Sequence, residues 1–322
     1  MEKLCIRMFG KFEVCCGSRQ VDGFEAHKLQ ELLSYLLLHR EQPHARETVA
    51  SVLWSESTIG QSKKHLRQAL WQLQGLLEPC AEQTGGPLLL VEPEWVGLDP
   101  GVTYWLDVAA FEQLTGPLQE TPGRALEGGE AEALQEAISI YRADLLEGFY
   151  DDWCLFERER LQNIYLAVLD KLMVYHEARG AYRAGLACGT RILRYDRASE
   201  RTHRRLMRMH YRAGDRTAAL RQYQRCVAAL REELDVAPGE RTQKLDRQVR
   251  DDTFGRSPSD STQERREPDT ASSLSQLLWR YEQLQASLAD LHRQVQEEIQ
   301  AMELALAEQT PSTQPQAEIT PQ

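Results

Sequence analysis

Long hydrophobic runs are missing from this chain. No stretch of about 18 apolar residues occurs, so no membrane-spanning helix is expected. The opening MEKLCIRMFGKFEV has neither an apolar h-region nor a small-residue cleavage site, and reads as cytoplasmic sequence. Paired cysteines are missing as well. Cys5, Cys15, Cys16, Cys80, Cys154, Cys188 and Cys226 are odd in number and contain no CxxC. That argues against a disulfide framework or a zinc site, and for free thiols in a reducing compartment. Catalytic signatures are lacking too: there is no GxxxxGK[ST], GxSxG, HExxH or strand-borne GxGxxG. The histidines are scattered. The acidic pairs Asp151-Asp152 and Glu157/Glu159 have no nucleophile or glycine-rich pocket beside them, and read as helix caps and solvated charge. The expectation is a protein that is not an enzyme and that needs no cofactor and no metal.

Positive charge is in short supply overall. Lys and Arg number 38 against 49 Asp and Glu, a net of −11 over 322 residues. Taken whole, that argues against nucleic-acid binding. The charge is unevenly spread, however. Residues 101–178 carry a net of −10, and 254–322 a net of −6, whereas 191–231 hold 12 Arg and a net of +9. With 42% hydrophobic and 27% charged residues, the chain can bury an ordinary core. Its length predicts two domains at about 150 residues each.

The first hundred residues alternate strand and helix signals. LCIRMFGKFEVCC at 4–16 reads as short strands with a turn or bulge near Gly10, and Val21 begins another strand after Gly17-Ser18-Arg19-Gln20. Leu29, Leu32, Leu33, Leu36 and Leu37 fall at helical spacing, so 27–40 is an amphipathic helix ended by Pro43. A short helix follows at 46–53, then a polar turn, then a long helix at 57–77. Residues 88–91 and 95–98 flank Glu92-Pro93-Glu94 as a hairpin, and Asp99-Pro100-Gly101 closes the domain. Three helices with a terminal hairpin are the outline of a winged helix-turn-helix.

Beyond it the signal is helical to 253. An internal repeat has a period of 34: Leu172 matches Leu206, His176 matches His210, Gly180 matches Gly214, Ala184 matches Ala218 and Leu186 matches Leu220. That is the period of the tetratricopeptide helix pair. The fold class expected is therefore mainly α: a winged helix-turn-helix (α+β) at 1–100, an all-α tetratricopeptide-like domain at 101–253, a linker at 254–273, a coiled-coil helix at 274–308 and a disordered tail at 309–322. Leu274, Leu277, Tyr281, Leu284, Leu288, Leu291 and Val295 give the narrow apolar seam of that helix. The seam suits a homodimer through 274–306 or a helix folded back on the repeats.

The helix at 57–77, STIGQSKKHLRQALWQLQGLL, contains no Asp or Glu. Spacing of 100° per residue puts Ile59, Ser62, Leu66, Ala69, Leu70, Leu73 and Leu77 inward, and Lys64, Gln68 and Trp71 outward with Lys63 and Arg67 beside them. Lys and Arg neutralise phosphates, Arg grips guanine bidentately, and Gln pairs with adenine in the major groove. Lys63, Lys64, Arg67, Gln68 and Trp71 are thus the candidate DNA-binding residues; Trp71 could instead pack on the hairpin. The Arg-rich 191–231 segment has three readings: attraction between the halves of the repeat domain, docking of an acidic partner or flanking DNA, or a solvated basic helix.

These stretches resemble the SARP-type bacterial transcriptional activators, in which an OmpR-type winged helix precedes a bacterial transcriptional activator domain of tetratricopeptide type. The resemblance lies in LCIRMFGKFEV (4–14), HKLQELLSYLLLHREQPHARETVASVLW (27–54), KKHLRQALWQL (63–73), YWLDVAAFEQL (104–114), YRADLLEGFYDDWCLFERERLQNIYLAVLDKL (141–172) and HRRLMRMHYRAGDRTAALRQYQRCVAALREELDVAP (203–238). It implies a cytoplasmic regulator, an activator that binds double-stranded promoter DNA and recruits RNA polymerase. It also places Lys63, Lys64, Arg67, Gln68 and Trp71 on the recognition helix, 46–53 as its supporting helix and 88–98 as the wing. The wing tip is acidic, which opposes phosphate contact. The alternative function is a tetratricopeptide-type adaptor whose winged helix contacts protein.

Overall fold

A computed structural model describes residues 4–254. The linker expected beyond Phe254, the coiled coil at 274–308 and the tail at 309–322 lie outside the described residues.

The chain opens with β1 (Leu4–Arg7), β2 (Glu13–Cys16) and β3 (Arg19–Gln20). Gly10, with φ +94°, supplies the left-handed residue in the β1–β2 connection. The third strand falls on Arg19–Gln20, where a turn was expected; Val21 only adds a bond from its N–H to Val14 O at 2.9 Å. Next come α1 (His27–Leu38), β4 (His44–Ala45), α2 (Arg46–Leu53) and α3 (Ile59–Leu77). A 3-10 turn (Glu78–Cys80) and α4 (Ala81–Thr84) lead to the hairpin β5 (Leu89–Val91) and β6 (Trp95–Leu98). Three helices, with β4-β6-β5 as a small sheet, make a winged helix-turn-helix.

The Asp99-Pro100-Gly101 turn does not end this part. β7 (Tyr104–Leu106) returns and pairs parallel to β1, Leu4 opposite Tyr104, giving the sheet order β3-β2-β1-β7. β7 runs straight into α5 (Asp107–Thr115), followed by α6 (Gly128–Ile140) and the long α7 (Asp152–Ala178). Helix pairs then stack: α7 with α8 (Tyr182–Tyr195), and α9 (Glu200–Arg212) with α10 (Arg216–Leu234), before α11 (Glu240–Arg250). Equivalent repeat positions behave alike. Gly180 and Gly214 both turn the chain at positive φ (+71° and +83°), and Leu172 and Leu206 are both buried. Gly185 lies where a Cβ would come within 2.6 Å of Met209 Sδ, so the two helix pairs touch at a residue without a side chain.

The winged helix and the repeats share one seam. Asp107, buried, accepts the Met8 and Phe9 N–H groups at 2.7 and 2.8 Å through one carboxylate oxygen, and Val108 N–H at 2.8 Å through the other. Phe9 forms an antiparallel bridge with Leu145, while Leu146 N–H donates to Met8 O (2.8 Å) and Glu147 N–H to Gly10 O (2.9 Å). Arg158 donates to the carbonyls of Leu145, Leu146 and Phe149 at 2.7–2.8 Å, which holds that loop in place. Arg40, just past the end of α1, Glu112 of α5 and Arg160 of α7 form an ion-pair chain, at 2.7 Å each. Glu157, expected as solvated charge, is buried and bonded to Arg160 at 2.8 Å. One apolar core runs unbroken from Leu4 to Met209, and the described residues 4–254 form a single unit.

Candidate nucleic-acid interface

The helix-turn-helix is set by α2 packing on α3. Val49, Ala50 and Leu53 of α2 are buried, as are Leu66, Ala69, Leu70, Leu73 and Leu77 of α3. Burying an aliphatic side chain stabilises by about 1.5–3 kcal/mol, so this face fixes the roll of α3 about its axis. Lys28 of α1 donates to Leu53 O at 2.9 Å, satisfying a terminal carbonyl of α2 where a cation is also favoured by the helix dipole. The turn closes with Ser57 N–H to Trp54 O at 3.0 Å. Gln61 reaches back to the Thr58 N–H and hydroxyl at 3.4 and 3.1 Å, so the helix starts at Ile59, two residues later than its apolar period suggests. Ile59, expected inward, is 77% exposed: its turn stands beyond the reach of α1 and α2.

Lys63, Lys64, Arg67, Gln68 and Trp71 are all exposed on α3. They do not behave alike. Lys63 is hydrogen-bonded to Glu47 of α2, and that contact holds the Glu47 carboxyl below its ordinary range. Lys64, Arg67, Gln68 and Trp71 pair with no described residue. Trp71, at 74% exposure, borders a groove of about 700 Å³ with Gln74, Gly75, Pro87 and the hairpin's Leu89.

A second groove, of about 520 Å³, separates α3 from the hairpin, with Lys63 and Arg67 on one wall and Pro93, Glu94 and Trp95 on the other. Arg46 of α2 holds the hairpin tip: its backbone N–H donates to Glu94 O (2.9 Å) and its guanidinium to Glu92 O (3.0 Å). Trp95 is 47% exposed. Arg46, Glu47 and Trp95 were not among the candidates drawn from sequence. One signal pointed to Arg46. A cation opening a helix faces the positive end of the dipole, so its side chain must serve a contact outside the helix.

Among the described residues, no group of three or more His, Cys, Asp or Glu is placed to hold a metal ion, and no helix is long and apolar enough to cross a membrane. All seven cysteines are free thiols.

The family model of the bacterial transcriptional activator domain matches residues 106–250. No curated protein matches the chain in sequence. Among solved structures, EmbR of Mycobacterium tuberculosis, determined in complex with a low-affinity phosphopeptide, shares the fold. The TM-score is 0.61 at 17% identity, over 78% of this chain and 66% of that one. The chain therefore spans slightly less than two thirds of EmbR.

Proposed function

We propose that this chain, whose residues 106–250 form a bacterial transcriptional activator domain on a SARP-type framework, is a promoter-binding transcriptional activator that reads DNA with α3. The observation that carries this reading is the outward face of α3. Lys64, Arg67, Gln68 and Trp71 stand exposed and unpaired on the second helix of a helix-turn-helix, and that helix has no acidic residue. A helix so presented suits the major groove, with Lys64 and Arg67 neutralising phosphate and Arg67 or Gln68 reaching base edges. Glu92 and Glu94 at the hairpin tip oppose close phosphate contact, so α3 carries most of the binding. The helical domain recruits RNA polymerase, the protein works in the cytoplasm without catalysis, and a homodimer through 274–306 supplies the second half-site contact.

Replacing both Lys64 and Arg67 by Ala should weaken promoter binding at least about tenfold at fixed salt. It should also flatten the slope of log Kobs against log[salt] by up to about 1.8. Unchanged affinity and slope would remove α3 as the DNA-reading helix. Deleting 274–322 should lower the oligomeric state in light scattering; a full-length monomer rules out the dimer. The acidic hairpin tip favours a second reading, a tetratricopeptide-type adaptor whose winged helix docks on protein. Failure to shift any genomic fragment at low salt selects that reading.

A further inference from the structure

The arginines of α9 divide into two sets once their partners are named. Asp170 of α7 takes Arg201 at 2.8 Å and is 3.8 Å from Arg205, and Glu177 takes Arg208 and Arg212 at 3.2 and 3.4 Å. Attraction between the two halves of the repeat domain thus accounts for part of the basic surface. It does not account for all of it, because two carboxylates serve four guanidiniums. Glu200 is occupied elsewhere: it accepts the Gly239 N–H at 3.1 Å and the Thr242 hydroxyl, tying α11 to α9, and Arg204 stands 3.5 Å from it.

Between α9 and α11 lies a groove of about 480 Å³, lined by Arg201, Arg204, Arg205, Arg208, Arg241 and Lys244. Arg241 and Lys244 are exposed and form no ion pair with any described residue. Arg205 is mostly buried, and its Nη1 atom is out of contact with water and has no hydrogen-bond partner. That nitrogen lies 3.8 Å from Asp170 Oδ1, so Arg205 is held against α7 while the rest of its side chain lines the groove. Burial, with Arg201 and Arg208 close by, also holds the Arg205 pKa below its ordinary value. Leu245 and Phe254 give the groove an apolar edge, and Phe254 is fixed there by edge-on contact with Tyr211 at 5.4 Å.

We propose that this groove binds a polyphosphate anion of nucleotide size. The cavity falls in the range of small-molecule sites. Guanidinium forks match phosphate oxygens bidentately. Six cations against the three carboxylates Asp170, Glu177 and Glu200 leave a surplus of positive charge around one small volume, with Arg241 and Lys244 unpaired, and adjacent phosphates supply dense negative charge to match it; an acidic peptide spreads its carboxylates along a backbone at about 3.3 Å per residue. The site is separate from α3 and does not depend on the DNA-reading role proposed above.

The test is calorimetric titration of the full-length protein with inorganic triphosphate and, separately, with ATP. Both should bind saturably, and Arg241→Gln with Lys244→Gln, two exposed positions that leave the fold intact, should weaken binding at least about tenfold. Arg205→Gln should do the same in protein whose circular dichroism is unchanged. Tighter binding of ATP identifies a nucleotide whose base uses Leu245 and Phe254; equal binding identifies the phosphate chain alone as the ligand. The Lys64→Ala/Arg67→Ala protein should bind both probes as before. Absence of binding, loss of binding in that α3 variant, no effect of the groove substitutions, or equal affinity for octaglutamate would each overturn the proposal.

Discussion

Glu47→Gln isolates the electrostatics beside α3. The carboxylate is 77% exposed and occupies Lys63, the one cation among the α3 candidates with an acidic partner. A phosphate arriving along α3 has to compete with Glu47 for that ammonium. Glutamine keeps the shape, removes one negative charge and releases Lys63. One further neutralised phosphate steepens the slope of log Kobs against log[salt] by about 0.9, which at ~0.15 M salt is roughly fivefold tighter binding. The order of substitution matters as well. Lys63→Gln should cost little in the native protein, where Glu47 already claims the lysine, and should cost the full gain once Glu47 is glutamine. Fluorescence anisotropy of a labelled duplex across a KCl series reads both quantities. An exposed ion pair adds little to stability, so the melting temperature should not move. Equal slopes for the native protein and Glu47→Gln, or weaker binding by the variant, would refute the claim that phosphate and Glu47 share Lys63.

Three further outcomes follow from buried groups. Asp107→Ala should destabilise by about 2–5 kcal/mol in urea denaturation, because the Met8 and Phe9 N–H groups lose their acceptor inside the core. Burial raises the Asp107 pKa, so this carboxyl's pH-linked contribution is complete below the 3.8 of a free aspartate and is lost as pH rises through the folded value. The deficit of Asp107→Ala should therefore shrink from acid to neutral pH; a deficit that grows contradicts the buried geometry. Burial lowers the pKa of His39, His176, His203 and His210, so their contribution is complete above 6.5 and is lost as pH falls through the folded values. Stability should drop on acidification below 6.5, and less steeply in His203→Gln; parallel curves would clear His203 of a part in it. Gly123→Ala should cost about 1–3 kcal/mol by thermal denaturation, since its Cβ would sit 2.5 Å from the Lys171 carbonyl; an unchanged melting temperature would show that the turn moves freely off α7.

Much of α3 was legible because its inward residues recur every three or four positions; its start was set two residues early because the Thr58–Gln61 cap was not read. Ile59 was misplaced because periodicity gives the face a residue points to and not whether a neighbour waits there. The pairing of Lys63 with Glu47, 16 residues away, depends on the angle between α2 and α3, which no local pattern specifies. The seam was hidden for the same reason. Asp107 and Met8 are 99 residues apart, and Tyr104–Leu106 joins β1 only because the chain after Gly101 turns back. A short strand behind an Asp-Pro-Gly turn carries the signal of an ending.

The net charge of −11 can now be placed. The acidic excess of 101–178 is partly consumed inside the fold: Glu112 pairs with Arg40 and Arg160, Asp170 with Arg201, and Glu177 with Arg208 and Arg212. Among the described residues, unpaired positive charge gathers on the outward face of α3 and on the α11 side of the groove between α9 and α11. Local surfaces of this kind act within about a Debye length of 8 Å at physiological salt, so the negative total does little to either at contact distance. It does act on approach, where a net negative body is not steered toward a polyanion. On the proposed reading, slow encounter and firm local contact favour sites held by two subunits and read by shape and base edges, over retention on DNA of any sequence. The continuous core from Leu4 to Met209 has a consequence for the proposed function: if α3 reads DNA, the helical domain has a fixed position relative to the duplex, and the surface it would offer to a partner is set by the helical phase of the site.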